Sequence, residues 1–176
     1  MLTLGTGVGG GVVSGGVPFR GRNGGGAELG HVTIVHDGRP CQGACRGRGH
    51  LEAYVSGHAA SEAAREAFGP SADAHRLVRL ANEGDVKAKE ILAELAGYLG
   101  SGIGSFVNIF GPELVILGGG FGVAAFDYLA GPAVETARRE ALEPMSSDFR
   151  LAKAELGTAA GLIGAAFVGF EALDAA

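Results

Sequence analysis

Two histidines and two cysteines fall close together in the chain: His31, Cys41, Cys45 and His50. Two ring nitrogens and two thiolates make the donor set of a tetrahedral zinc site, and the glycines between them permit a tight wrap. The spacing is not that of a zinc finger, and the same residues would also serve as two buried thiols beside two surface histidines. Glu28 and Glu52 flank the cluster. Carboxylates beside a metal-fixed histidine can accept from adjacent hydroxyls, one oxygen to each OH, whereas an ordinary glutamate is solvated; spacing alone leaves both readings open. His36, His58 and His75 lack such company and read as surface residues.

A second chemistry is written in glycine. Leu4, Gly5, Thr6 and Gly7 open the chain with a loop in which successive backbone N–H groups can converge on an anion, with the Thr6 hydroxyl beside them. The alternative is a glycine-rich hairpin that only lets two strands twist. Gly118, Gly119 and Gly120 form a second such loop at the carboxyl end of an apolar run, where α/β sheets place ligands. Gly5, Gly7 and Gly10 also satisfy G-x-G-x-x-G, but that dinucleotide motif requires a helix to follow, and Val12, Val13 and the Gly15 and Gly16 pair do not start one. No G-x-x-x-x-G-K-[ST] occurs, which excludes a P-loop.

These residues must be positioned by an α/β framework. Residues 1–5 read as a strand with 11–17 as its hairpin partner, and 32–35 as another short strand. Helices are predicted over 52–55, 59–68, 73–82 and 85–110, the last with Ile91, Leu92, Leu95, Leu99, Ile103, Phe106 and Val107 at helical spacing, a core stripe. Leu114 to Leu117 is a buried-strand pattern. A helix over 125–142, a strand over 149–154 and a last helix over 159–172 complete a chain read as one unit over 1–176, with a knot at 31–52.

Composition narrows the function classes. Net charge is −5 and the lysines are Lys87, Lys89 and Lys153, so no basic stripe offers itself to nucleic acid. No uncharged apolar run reaches membrane-spanning length, and no leader pattern opens the chain. Cys41 and Cys45 are too close to staple a fold, and a reducing cytoplasm is the expected compartment.

Taken in order, the segments 2–11, 28–31 (Glu-Leu-Gly-His), 49–52 (Gly-His-Leu-Glu), 55–57 (Val-Ser-Gly) and 111–120 make the chain resemble the ROK family of sugar kinases and related repressors over nearly its whole length. The resemblance implies the C-terminal half of an actin-like, ribonuclease-H-like ATPase, transferring the γ-phosphoryl group of ATP, with Mg, to a hexose, glucose first, to give glucose 6-phosphate. It implies that Gly5, Thr6 and Gly7 hold phosphates and that Gly118, Gly119 and Gly120 border the adenosine. It further implies that Glu28, His31 and Glu52 bind sugar hydroxyls and that zinc sits on His31, Cys41, Cys45 and His50. Homo-oligomers are common in the family. The sugar-sensing half of a repressor is the alternative implied function. The sequence departs from the family's C-x-C-G-x-x-G-C: the first pair here is C-x-x-x-C, and His50 takes the place of the last cysteine. Position 27 is alanine where glycine is common, read as a minor change. The family's first phosphate loop and its base aspartate are expected upstream of Met1, so the chain by itself is expected to be catalytically silent or nearly so.

Overall fold

In the computed structural model, which describes residues 1–174, strand β1 (Leu2–Leu4) turns through residues 5–7 into β2 (Val8–Gly10), antiparallel with Leu4 opposite Val8. Residues 175 and 176 of the expected unit lie outside the described residues. A separate small hairpin follows, β3 (Val13–Ser14) with β4 (Val17–Pro18). Then come helices α1 (Glu52–Val55), α2 (Gly57–Phe68), α3 (Ala74–Asn82) and α4 (Val86–Phe110). Strand β5 (Leu114–Gly118), helices α5 (Gly120–Ala124), α6 (Phe126–Glu140) and α7 (Met145–Asp148), strand β6 (Arg150–Lys153) and helix α8 (Ala160–Asp174) complete the order. The main sheet runs β2-β1-β5-β6, with β5 parallel to both β1 and β6. It is a mixed sheet with helices, an α/β fold.

Three elements differ from the sequence expectation. The partner of β1 is residues 8–10, not 11–17: the turn closes within three residues, and Val8 is buried whereas Val13 and Val17 are exposed. Gly15 and Gly16, at φ 57° and 79°, close their own two-residue hairpin, the conformation that a tight turn matching strand twist demands. The strand expected over 32–35 reduces to a single bridge from Thr33 to His50, because Ile34 and Val35 both donate their N–H to the Gly49 carbonyl (2.8 and 3.1 Å). The helix expected over 125–142 is α6, Phe126–Glu140, and a short helix that was not expected, α5, precedes it at Gly120–Ala124.

The core is centred on α4. Asp85 caps it by accepting from Ala88 N at 2.8 Å, and Gly111 ends it in the left-handed conformation. All seven residues of the predicted stripe are buried. On another side of α4, Gly100 and Gly104 meet α6 closely: a methyl on Gly100 would fall 2.6 Å from the Ala133 carbonyl oxygen, and one on Gly104 2.7 Å from Glu140 Cβ. Small residues here bring two helix backbones together, so this contact is set by shape. Leu2, Leu4, Val115 and Leu117 bury the sheet against the same core. Among the described residues, no helix is long and apolar enough to cross a membrane.

Candidate functional site

The turn at residues 5–7 is held from three sides. The Gly5 carbonyl accepts from Gly57 N (2.7 Å), the Thr6 carbonyl from Gln42 Nε2 (3.2 Å), and the Gly7 carbonyl from Gly5 N (3.0 Å). Val8 N donates to Glu52 Oε2 at 2.8 Å, and a Cβ on Gly7 would collide with that same carboxylate. The carbonyls and the Val8 N–H are thus spent on the protein body. The backbone N–H groups of Thr6 and Gly7 have no acceptor among the described residues. Two adjacent free N–H groups in an exposed turn form an anion-binding concavity. The first turn of α2 abuts it, and the positive end of a helix dipole strengthens the attraction for an anion.

Gly5 and Thr6 line a cleft of about 340 Å³ together with Gly57, His58, Ser61, Asp73, His75 and Gly120. The two glycine loops, more than a hundred residues apart in sequence, therefore share one cavity. Gly120 carries open space where a Cβ would go, whereas Gly118 is buried against Met1, Ala154 and Thr3. Gly119, at φ 80°, packs on the Leu4 backbone and borders a neighbouring cavity of about 370 Å³. Gly7 faces Glu52 instead of the cleft. His58 and His75 are exposed, as expected, and also line the cleft; their separate positions in the sequence gave no sign of that.

His31, Cys41, Cys45 and His50 converge, their ligand atoms lying within 4.8 Å of one another. His31 Nδ1 is 3.3 Å from His50 Nδ1 and 3.6 Å from Cys41 Sγ, and Cys45 Sγ is 3.5 Å from His50 Nδ1. A tetrahedron with Zn–N near 2.05 Å and Zn–S near 2.3 Å has N···N edges of about 3.3 Å and N···S edges of about 3.6 Å. The donor set and its spacing therefore fit a zinc ion. The backbone holds the loop in shape: Cys41 N donates to the Gly47 carbonyl (2.9 Å), Gly47 N donates to Cys45 Sγ (3.4 Å), and Pro40 bridges to Arg48. Tyr54 anchors the base, accepting from Arg39 N at 2.8 Å and packing on Tyr98. Burial, and then the hydrogen bond with Cys45, pushes the Cys41 thiol up to about 11. A cation at the centre would act in the opposite direction, because coordination deprotonates a thiol.

The three carboxylate and imidazole groups expected around a sugar stand in different states. Glu52 spans the two sites, one oxygen on Val8 N and the other 3.6 Å from Cys41 Sγ. His31 turns Nδ1 into the knot and leaves Nε2 without a partner among the described residues. Glu28 is exposed at the start of the short turn of helix at Leu29–His31. Ala27 before it has φ 64°, the left-handed conformation that costs an L-residue about 1–2 kcal/mol. The alanine at this position is thus a backbone strain, not the minor change read from the sequence.

This fold has counterparts among known proteins. The ROK family model matches residues 1–170, and the chain belongs to the ROK family. A glucokinase of Thermotoga maritima is 35% identical, the match covering 95% of this chain and 56% of that protein. An N-acetyl-D-glucosamine kinase of Pectobacterium carotovorum is 32% identical, covering 95% and 57%. The chain thus spans little more than half the length of these relatives. Among solved structures, a ROK hexokinase from Thermus thermophilus superposes with a TM-score of 0.87 at 38% identity, over 99% of this chain and 57% of that one. A ROK family glucokinase from Streptomyces griseus in complex with glucose and AMPPNP gives 0.81 at 30%, over 95% and 58%. A ROK family transcriptional regulator gives 0.74 at 28%, over 86% and 40%.

Proposed function

We propose that this chain is the nucleotide-holding and sugar-holding part of a ROK sugar kinase, which transfers the γ-phosphoryl group of ATP to a hydroxyl of a hexose, with glucose as the first candidate. The observation that carries the reading is the convergence of Gly5, Thr6 and Gly120 on one cleft at the start of α2. In this reading the free N–H groups of Thr6 and Gly7 and the Thr6 hydroxyl take phosphate oxygens of Mg·ATP, and the Gly118–Gly120 loop borders the adenosine. Phosphoryl transfer needs little covalent chemistry from the protein, so such positioning is most of what this half contributes.

Zinc, when bound by His31, Cys41, Cys45 and His50, supplies a structural crosslink. Ligation through His31 Nδ1 puts the ring proton on Nε2, which then donates to a sugar hydroxyl. With Cys41 held as a thiolate, its proton lost to solvent, Glu52 Oε1 would have no thiol partner and would be open to accept from a second hydroxyl, with Glu28 accepting from a third. Near the turn, Glu52 holds Val8 N through Oε2, and Asp73 caps α3 by accepting from Arg76 N at 2.8 Å through Oδ1. The family resemblance implies that the base belongs to the part of a full-length kinase that this span does not cover.

Similarity to a ROK regulator supports a second reading, in which the same site senses a sugar and transfers nothing. Calorimetric titration with Mg·AMPPNP separates the two. Saturable one-to-one binding to the 176-residue chain is expected of the kinase half. Sugar binding with no nucleotide binding would overturn the kinase reading in favour of the sensor.

A further inference from the structure

Gln42 lies between the two knot cysteines, and its backbone is part of the knot: Cys45 N donates to the Gln42 carbonyl at 3.4 Å. Its side chain leaves the knot. Nε2 donates to the Thr6 carbonyl and to Ser56 Oγ, both at 3.2 Å. The amide orientation is fixed by chemistry, since a carbonyl can only accept. Ser56 Oγ, wholly buried, also accepts from Ala59 N at 3.1 Å and so caps α2 without Gln42.

The Thr6 carbonyl and the Gly7 N–H belong to one planar trans peptide, so they point in opposite directions. A donor pulling on the carbonyl from the knot side aims the Gly7 N–H away from the knot. That N–H is one of the two left free for an anion. The other ties on the turn act on other peptides: the Gly5 carbonyl is held by α2, the Gly7 carbonyl by Gly5 within the turn itself, and Val8 N by Glu52, which also meets Cys41 but orients the Gly7–Val8 peptide. Gln42 is thus the side chain that carries the knot's position to the plane that presents the donor.

We infer that Gln42 is a positioning residue linking the metal knot to the glycine turn, so that zinc in the knot and nucleotide at the turn each strengthen the binding of the other. The inference rests on the proposed zinc and nucleotide reading of those two places. Its physical basis is entropic. Ligation of Cys41 and Cys45 fixes the backbone on both sides of Gln42, and an amide already held in place orders Thr6 at less cost than a mobile one. Linkage then requires equal effects in both directions, and couplings of this kind run to about tenfold.

The test uses the 176-residue chain, wild type and Gln42→Leu, with and without zinc. Wild type is expected to bind Mg·AMPPNP about tenfold more tightly when zinc-loaded, and saturating Mg·AMPPNP is expected to raise its zinc affinity, measured against a competing chelator, by the same factor. Gln42→Leu is expected to keep its zinc affinity without nucleotide within about twofold and to lose the coupling in both directions. A spectroscopic readout needs no nucleotide: the Gly7 amide nitrogen resonance moves on adding zinc to wild type and stays put in Gln42→Leu. Equal Mg·AMPPNP affinity with and without zinc in wild type would overturn the linkage and leave the kinase reading standing. Coupling that persists in Gln42→Leu would overturn the role of Gln42. A zinc-dependent Gly7 shift in a chain that binds no nucleotide would uphold the mechanical link and remove the nucleotide reading instead. A chain that binds no zinc would remove both the knot reading and the linkage.

Discussion

The knot at 31–52 and the α4–α6 pair are held together by opposite means. The pair is bound by shape: Gly100 and Gly104 admit the α6 backbone, and Leu92, Leu99, Ile103, Leu129, Ala133 and Ala137 are fully or nearly fully buried. The knot touches the apolar core through Leu51 and the partly buried Val32, Ile34 and Val35, but its centre is polar. It has four donor atoms converging on a point, two backbone bridges and one tyrosine beneath. Packing of the first kind is spread over many contacts and no single group decides it. A four-ligand centre concentrates its stability in one ion, and losing one ligand loses most of it. The lesson is that the two regions should fail independently.

The largest expected effect tests the knot. Cys45→Ser or His50→Ala should lower zinc affinity by at least about a hundredfold in chelator competition while the helical circular-dichroism signal of the zinc-free chain is unchanged. Loss of global helicity in those variants would break the comparison. Next comes the pair. Leu92→Ala should cost about 2–5 kcal/mol, and Gly100→Val about 1–3 kcal/mol through overpacking, read as lower urea midpoints with zinc affinity in the folded chain unaltered. A smaller effect concerns the cleft. Gly120→Leu projects a side chain into open space at no cost to packing, and should weaken Mg·AMPPNP about tenfold with an unchanged urea midpoint. The smallest concerns Ala27, whose φ of 64° favours glycine. Ala27→Gly should stabilise the fold by about 1 kcal/mol, raising the melting temperature by about 2–4 °C, and an unchanged temperature would mean the strain is not stored there.

Much of the helical part was legible because its signals are local. The long helix was expected over 85–110 and runs Val86–Phe110, since Asp85 and Gly111 mark its ends and its stripe keeps one period. The four knot residues were legible from chemical type alone, although whether they would meet was open. The hairpin was misread because the glycines and valines of 8–17 carry the same propensity whichever register they take, and only burial of Val8 chooses. The strand expected at 32–35 failed for a related reason: β-branched residues fit a strand, but here the Gly49 carbonyl claims the N–H groups of Ile34 and Val35.

The sequence by itself determined the donor set of the knot, the two glycine loops, the helical stripe and, through their order, membership of the ROK family. These rest on residue type and short-range spacing, which the chain carries wherever it folds. Tertiary structure alone decided that the two glycine loops share a cleft, that Glu52 holds Val8 N, that Gln42 reaches the Thr6 carbonyl, and that Ala27 sits at a positive φ. Each depends on which distant backbone group comes within hydrogen-bond reach once the core has closed, and residue type does not encode that distance.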